Sequence, residues 1–138
     1  MRMHLVVFRI NREEYAILVE KVTEIFNYVP VTSMPGSPNY FEGIINDRGK
    51  IVPVVDFATK MGLLGTQERN GQIVIVEAQG KEVGLTVDTV TEVIQAASEN
   101  FASVESSESS DKSFKKVYKF HCRIITLLDI EQVLSASA

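Results

Sequence analysis

The chain has 138 residues, 45% of them hydrophobic and 23% charged, which is long enough for one compact domain or for two small units that share an interface. The net charge of −4 argues against a basic nucleic-acid binder, and the single cysteine, Cys122, excludes an intramolecular disulfide. The first ten residues are too soon interrupted by Arg9 to be a signal peptide, and no stretch approaches the roughly 20 apolar residues of a membrane span. We therefore expect a soluble, cytoplasmic protein without direct membrane insertion.

The first 26 residues predict a hairpin and one helical turn. Met3–Ile10 is rich in Leu, Val and Phe and is typical of a strand, and Glu14–Leu18 returns after a turn at residues 11–13. Apolar residues in VEKVTEIF (19–26) recur at helical spacing, which indicates a short helical turn before an extended segment.

Residues 27–38 contain three of the four prolines, so we expect this segment to be extended and rich in turns. Proline is favoured in the first turn of a helix. We therefore expect a short helix to begin within Ser37–Phe41.

The stretch Gly43–Phe57, GIINDRGKIVPVVDF, predicts a second hairpin. Asn46 favours the first position of a type I turn, and Gly49 at the fourth can take the left-handed conformation that leads into the return strand. Arg48 is then at the tip of the turn. Pro53 has no N–H to donate, so its strand should be a sheet edge or carry a bulge there.

Asp56 ends this strand and is a suitable cap for a helix that extends to about Gly62 or Gly65. The corresponding acidic residue near the C-terminus is Asp129. The sequence DIEQ (129–132), which begins at Asp129, resembles a capping box and predicts a last helical turn, with Val133 and Leu134 packed on the sheet.

The chain repeats itself. At an offset of 68 residues, HLVVFRI (4–10) matches QIVIVEA (72–78), and EEYAILVEKVTEI (13–25) matches KEVGLTVDTVTEV (81–93) with five identities. GKIVPVVDF (49–57) matches CRIITLLDI (122–130) at an offset of 73, and the additional length lies in or around the Ser- and acid-rich run ASVESSESSD. The same three features thus recur in the same order.

This repeat predicts an all-β fold of two similar units with short helices at the connections. Five short twisted strands per unit bury their apolar face best by closing into a barrel. Units of about 65 residues are marginal alone, so the two barrels should pack on each other. We place them within a single domain, 1–138, at about 13–66 and 72–130, and leave open an exchange of terminal strands between them.

No group of residues indicates catalysis, a cofactor or a metal. His121 and Cys122 are neighbours on a predicted strand and point to opposite faces, so the imidazole is poorly placed to activate the thiol. No histidine pair has metal-ligand spacing and no glycine-rich phosphate loop occurs. The four lysines of residues 112–119 are better explained as a solvated edge than as a nucleic-acid site.

Four segments resemble the CheW-like family: EEYAILVEKVTEI, YFEGIINDRGKIVPVVDF, KEVGLTVDTVTEV and CRIITLLDIEQVL. The resemblance covers about residues 4–134 and implies two pseudo-symmetric, five-stranded SH3-like barrels. It also implies a non-catalytic adaptor without a cofactor. Such adaptors couple the cytoplasmic tips of methyl-accepting chemoreceptors to a CheA-type histidine kinase, whose regulatory domain has the same fold.

The resemblance also implies interface residues. Val22, Glu24 and Arg48 match positions tied to receptor coupling, and Gly43 and Gly49 match the glycines that frame the hairpin. Glu24 and Arg48 have opposite charges and are expected to pair at the surface, which is worth about 0.2–1 kcal/mol.

Ile44 and Val54, together with Val22, are expected either to line an apolar groove for a receptor helix or to pack in the core. Asp47 departs from the family, which usually has an apolar residue before the Arg-Gly pair. Because this departure leaves the pathway open, an adaptor for pilus-driven or surface motility is the alternative. A small-barrel nucleic-acid binder and a cysteine enzyme that uses Cys122 are alternatives of other classes.

Overall fold

The computed structural model describes residues 2–62, 71–97, 101–103, 114–120 and 123–135. Their strands are β1 (Arg2–Ile10), β2 (Glu13–Leu18), β3 (Val22–Asn27), β4 (Phe41–Asp47), β5 (Lys50–Asp56), β6 (Gln72–Ala78), β7 (Lys81–Val87), β8 (Thr89–Ala97), β9 (Phe101–Ser103), β10 (Phe114–Phe120) and β11 (Arg123–Leu128). The helices are α1 (Phe57–Lys60) and α2 (Ile130–Ser135), and a 3₁₀ turn at Val19–Lys21 joins β2 to β3.

The strands form two sheets. Sheet 1 has the order β8-β1-β2-β11-β10-β9, and sheet 2 has the order β3-β6-β7-β5-β4. The predicted all-β fold with short helices at the connections is confirmed. Sheet 2 has the expected five strands, whereas the short β9 adds a sixth to sheet 1.

Each sheet takes its first hairpin from the other half of the chain. The N-terminal hairpin β1–β2 joins β8, β10 and β11, while β6–β7 joins β3, β4 and β5. Each exchanged hairpin is joined by one antiparallel pair, β1 with β8 or β6 with β3, and by one parallel pair, β2 with β11 or β7 with β5. The expected ranges 13–66 and 72–130 therefore do not coincide with the two sheets.

The recurring V-T-E sequence has a structural cause, which is a β-bulge on each of two equivalent strands. The pairing of β3 with β6 shifts between Val22 and Glu24, so Thr23 is the additional residue there. The pairing of β8 with β1 shifts at the equivalent place, around Thr91. Each threonine hydroxyl donates to a carbonyl of the neighbouring strand, Thr23 to Ile75 at 3.3 Å and Thr91 to Val7 at 3.2 Å. The repeat thus preserves a bulge and the hydrogen bond that fixes it.

The core has three clusters, two inside the sheets and one between them. Sheet 1 encloses Leu5, Val7, Ala16, Ile94, Ala96 and Ile125. Sheet 2 encloses Ile45, Val52, Val54, Ile73 and Ile75. The largest cluster draws on both sheets and includes Phe8, Ile10, Tyr15, Ile17, Val74, Val76, Leu85, Phe57 and Val133.

Three aromatic rings hold the central cluster together. The ring of Phe57, at the start of α1, lies edge-on to Phe8 at 5.2 Å and to Tyr15 at 5.3 Å between centroids. Such pairs contribute about 0.5–1.5 kcal/mol beyond their burial. The helix that follows sheet 2 is thereby attached to the first hairpin of sheet 1.

The β4–β5 turn differs from the prediction. Asp47 pairs directly with Lys50, and the two residues between them, Arg48 and Gly49, have φ angles of 54° and 82°. Positive φ at both central residues is typical of the type I′ hairpin turn, whose twist matches the flanking strands better than the predicted type I turn. Asn46 still contributes, because its side-chain oxygen accepts a hydrogen bond from the Gly49 N–H at 3.0 Å.

The strand of Pro53, β5, is interior, so the predicted sheet edge is wrong. The alternative of a bulge at Pro53 is also wrong, because the register shift between β4 and β5 lies opposite Val54 and Val55. Pro53 lies opposite Ile44 of β4. The N–H and C=O of Ile44 bond to Thr32 on the other side of β4, so Ile44 and Pro53 form a pair without hydrogen bonds between them. The nitrogen of Pro53 therefore faces β7. Because β7 pairs only with Val54–Asp56, no donor is needed there.

The predicted helix within Ser37–Phe41 is wrong. A turn occupies this segment, closed by a hydrogen bond from the Phe41 N–H to the Pro38 carbonyl at 3.0 Å, and β4 begins at Phe41. Asp56 does precede α1, but its carboxylate accepts from the Thr59 hydroxyl at 2.8 Å rather than from a backbone N–H.

Asp129 caps α2 as predicted and accepts from the Glu131 N–H at 3.1 Å. The extension of α1 towards Gly65, the Ser-rich run and the His121–Cys122 pair lie wholly or partly outside the described residues.

Gly43→Ala should lower the free energy of unfolding by about 2–3 kcal/mol, measured by urea denaturation. Gly43 has a φ of 150°, and a Cβ there would lie 2.1 Å from the carbonyl oxygen of Thr32. Gly36→Ala is the matched control, because Gly36 also has a positive φ but has open space around its Cβ position. Equal losses in the two variants would contradict the role assigned to the contact with Thr32.

Candidate functional site

The predicted pair of Glu24 and Arg48 is present. Glu24 lies on β3, and the β4–β5 turn carries Arg48 to it, with 3.1 Å between Nη2 of Arg48 and Oε1 of Glu24. The Arg48 side chain is 80% exposed, while that of Glu24 is 23% exposed. The guanidinium is therefore anchored to the sheet at one end and open to solvent over most of its surface.

Asp47 makes this site unusual, because its carboxyl group interacts with the carboxyl group of Glu24. A hydrogen bond between the Asp47 and Glu24 carboxyl groups raises the pKa of Glu24 above its ordinary value of 4.5. Desolvation adds to this rise, and the positive charge of Arg48 opposes it. Because the folded-state pKa is the higher one, the carboxyl contact stabilises the fold most below pH 4.5 and this contribution is lost as the pH rises through the raised pKa.

Two further charges extend the site along sheet 2. Glu82 on β7 pairs with Lys50 at 3.6 Å and accepts from the Thr23 hydroxyl at 3.2 Å. Four strands and one turn thus bring Glu24, Asp47, Arg48, Lys50 and Glu82 together. We call these five residues the acidic cluster, because three carboxylates face two cations.

The other predicted interface residues have structural roles that limit what they can contact. Val54 is fully buried inside sheet 2, so its side chain belongs to the core and does not line a groove. Val22 is partly buried against the cluster between the sheets, and Ile44 is partly buried opposite Thr32. Gly43 is buried, whereas Gly49 is exposed in the turn beside Arg48. Of the predicted set, the structure brings together Glu24, Arg48 and Gly49 at the surface.

Sequence reasoning missed four exposed isoleucine and valine residues. Ile25 and Val93 follow the two V-T-E sequences and are 39% and 60% exposed. Ile51 and Ile124 are also equivalent in the repeat and are 63% exposed each. Superimposing the two halves of the sequence would have found them, because an apolar residue recurs at each of these positions in the outward phase of its strand.

Sheet 1 carries a counterpart of the acidic cluster. Arg123 makes a bidentate contact with Glu14, at 3.0 Å and 2.6 Å, and a further one with Glu92 at 2.8 Å. The hydrogen bond from Arg123 holds the pKa of Glu14 below 4.5. Since this pKa is depressed, the pair stabilises the fold at neutral pH, and its contribution is lost as the pH falls through the lowered value.

The part of the chain that the structure describes contains neither a cluster of metal ligands nor a membrane-spanning helix. Among the described residues, no group of three or more His, Cys, Asp or Glu side chains is placed to hold a metal ion. In the same part of the chain, no helix has the length and apolar character to cross a membrane. The geometry of the described residues provides ion pairs and exposed apolar side chains at the surface.

A sequence model of the CheW-like domain matches residues 4–138. The chain belongs to the CheW-like family. It is 31% identical over 134 residues to the probable chemotaxis protein CheW of Rhizobium etli, which covers 95% of this chain and 86% of that protein. It is 32% identical over 133 residues to the chemotaxis protein CheW of Klebsiella aerogenes, which covers 94% of this chain and 80% of that protein.

A solved CheW structure has the same fold. The crystal structure of the scaffolding protein TtCheW from Thermoanaerobacter tengcongensis matches with a TM-score of 0.90 at 31% identity, over 99% of this chain and 95% of that one. The chain is thus a member of a family of chemotaxis scaffold proteins, and the predicted pair of SH3-like barrels is consistent with this CheW fold.

The pKa of Glu24 should respond in opposite directions to two substitutions. Asp47→Asn should lower it, because the neighbouring carboxyl group is removed, and Arg48→Ala should raise it, because a favourable charge is removed. Titration of the side-chain carboxyl carbons by NMR measures both shifts. An unchanged pKa in both variants would show that the three side chains do not interact in solution.

Proposed function

We propose that this chain is a non-catalytic adaptor that couples the cytoplasmic tips of chemoreceptors to a CheA-type histidine kinase. It works in the cytoplasm beside receptor arrays. The observation that carries the proposal is the Glu24–Arg48 ion pair, in which an 80% exposed guanidinium is held at a fixed position on sheet 2. A pair of this kind contributes little to stability but orients a contact surface.

The receptor contact is proposed to use this ion pair and the exposed Ile25 on the same strand. Ile25 follows Glu24 on β3, and its backbone pairs with Val74 of the neighbouring strand β6. A helical receptor tip presents apolar side chains at intervals of three and four residues. Contact with Ile25 supplies burial, while Glu24 and Arg48 fix the orientation.

The kinase contact is proposed to use a surface of sheet 1, so that both partners bind at once. Ile124 on β11 is 63% exposed, and the ion pair of Arg123 with Glu14 lies beside it. An exposed apolar side chain bordered by a firm ion pair has the composition of a small protein interface. Because Ile124 and Arg48 lie on different sheets, occupation of one surface leaves the other accessible.

Arg48→Glu should leave the fold intact and weaken receptor binding about tenfold, because the guanidinium that faces the partner is replaced by a carboxylate. Receptor-dependent activation of the kinase should fall with it. The measurement combines co-sedimentation with receptor-containing membranes and a kinase assay on the same samples. Circular dichroism and urea denaturation check the fold.

Arg12→Glu is the matched control, since Arg12 is an exposed arginine in the β1–β2 turn of the other sheet and the change in net charge is the same. Arg12→Glu should bind receptor membranes like the unsubstituted protein. Normal receptor-dependent kinase control in Arg48→Glu would refute the assignment of the docking surface.

A further inference from the structure

The bulge at Thr23 decides which face of sheet 2 carries Glu24. Residues that lie opposite each other on neighbouring strands share a face of the sheet. Val22 lies opposite Val76, whose side chain belongs to the cluster between the sheets. Glu24 lies opposite Ile75, whose side chain belongs to the cluster inside sheet 2. In a regular strand, residues two apart point to the same face, so the additional residue is what puts Glu24 on the face opposite to that of Val22.

This change of face brings Glu24 to Arg48. A regular continuation of the pairing from Val22 would put Glu24 opposite Val74, in the cluster between the sheets. The bulge instead puts Glu24 on the face of Ile45, which is the residue of β4 that belongs to the cluster inside sheet 2. The turn that carries Arg48 follows β4, and the guanidinium meets the Glu24 carboxylate at 3.1 Å.

The hydroxyl of Thr23 fixes the bulge and contacts the acidic cluster. It lies 3.3 Å from the carbonyl oxygen of Ile75 and 3.2 Å from Oε2 of Glu82. The contact with Ile75 ties the bulged residue to β6 at the place where the regular ladder is interrupted. Glu82 in turn pairs with Lys50 at 3.6 Å. One hydroxyl thus joins the backbone of the bulge to the charges around it.

The second half of the chain contains the same arrangement. Thr91 is the additional residue of the bulge on β8, and its hydroxyl donates to the Val7 carbonyl at 3.2 Å. Glu92 follows it, lies opposite Val7, and binds Arg123 at 2.8 Å. Arg123 lies on a strand and Arg48 in a turn, so the two arginines are not equivalent in the repeat. What recurs is the bulged threonine followed by a glutamate that holds a guanidinium.

We infer that Thr23 is a positioning residue of the proposed receptor contact: its hydroxyl fixes the bulge that presents Glu24, and through Glu24 the guanidinium of Arg48, to the receptor. This inference rests on the proposed function and adds a residue that acts without touching the receptor. Because Thr23 acts through the ion pair, its effect on receptor binding depends on Arg48.

Thr23→Val tests this inference, because it removes the hydroxyl and keeps the β-branched shape at an exposed position. Binding of a chemoreceptor cytoplasmic-tip fragment that binds the unsubstituted protein should weaken about fivefold, the equivalent of one hydrogen bond. Thr23→Ser keeps the hydroxyl and should bind like the unsubstituted protein. Thr91→Val is the matched control, since it removes the equivalent hydroxyl from sheet 1 and should leave receptor binding unchanged. Urea denaturation checks that every variant is folded under the conditions of the binding assay.

A double-substitution cycle with Arg48→Ala shows whether Thr23 acts through the ion pair. In the Arg48→Ala background, Thr23→Val should cause no further loss of binding. An equal loss in both backgrounds, or the same loss in Thr91→Val, overturns the inference. If Arg48→Ala weakens binding and Thr23→Val does not, the proposed receptor contact stands and the role of Thr23 fails. If Arg48→Ala binds the receptor fragment normally, the proposed function itself fails.

Discussion

The equivalent interior strands β1 and β6 are each covered on both faces. One face of each contributes to the interior of its own sheet, through Leu5 and Val7 or through Ile73 and Ile75. The other face contributes to the cluster between the sheets, where Phe8 and Val76 lie. A strand buried on both faces needs a nearly continuous apolar sequence, which explains LVVF and IVIV at equivalent places in the repeat. The largest of the three clusters of buried residues therefore lies between the two sheets, where each barrel covers the other.

The exchange of hairpins makes this burial possible. Because β1–β2 is built into the sheet of the second half and β6–β7 into that of the first, neither half of the chain can complete a sheet by itself. The parallel junctions of β2 with β11 and of β5 with β7 join the two halves through hydrogen bonds, and the rings of Phe8, Tyr15 and Phe57 join them through packing. Surface substitutions should thus alter contacts with partners while leaving this interior unchanged.

The all-β fold could be predicted from the sequence because the residues that repeat are largely those that form the core. Alternating and continuous apolar runs predicted the strands, and the recurrence of V-T-E, now explained by bulges at Thr23 and Thr91, predicted two similar units. Turn chemistry was harder to predict. A type I turn and a type I′ turn both suit Asn46 and Gly49, and the choice depends on a pairing of Asp47 with Lys50 that spans the strands.

The candidate site was only partly predictable, because proximity across strands is not visible in a local pattern. Opposite charges suggested that Glu24 and Arg48 meet, and they do. Val54 looked equally suited to a groove and to the core until its complete burial assigned it to the core. The contact of Asp47 with Glu24 and the pairing of Glu82 with Lys50 depend on the curvature of sheet 2, which no sequence period encodes.

The proposed function depends on two separate docking surfaces, one on each sheet of a molecule whose sheets share a core. Analytical ultracentrifugation of the adaptor with a receptor-tip fragment and the kinase regulatory domain tests this most directly, with Ile124→Lys as the variant that should lose the kinase domain alone. The account predicts one sedimenting species that contains all three proteins, and a receptor–adaptor species when Ile124→Lys is used. Mutually exclusive binding of the receptor fragment and the kinase domain would contradict it.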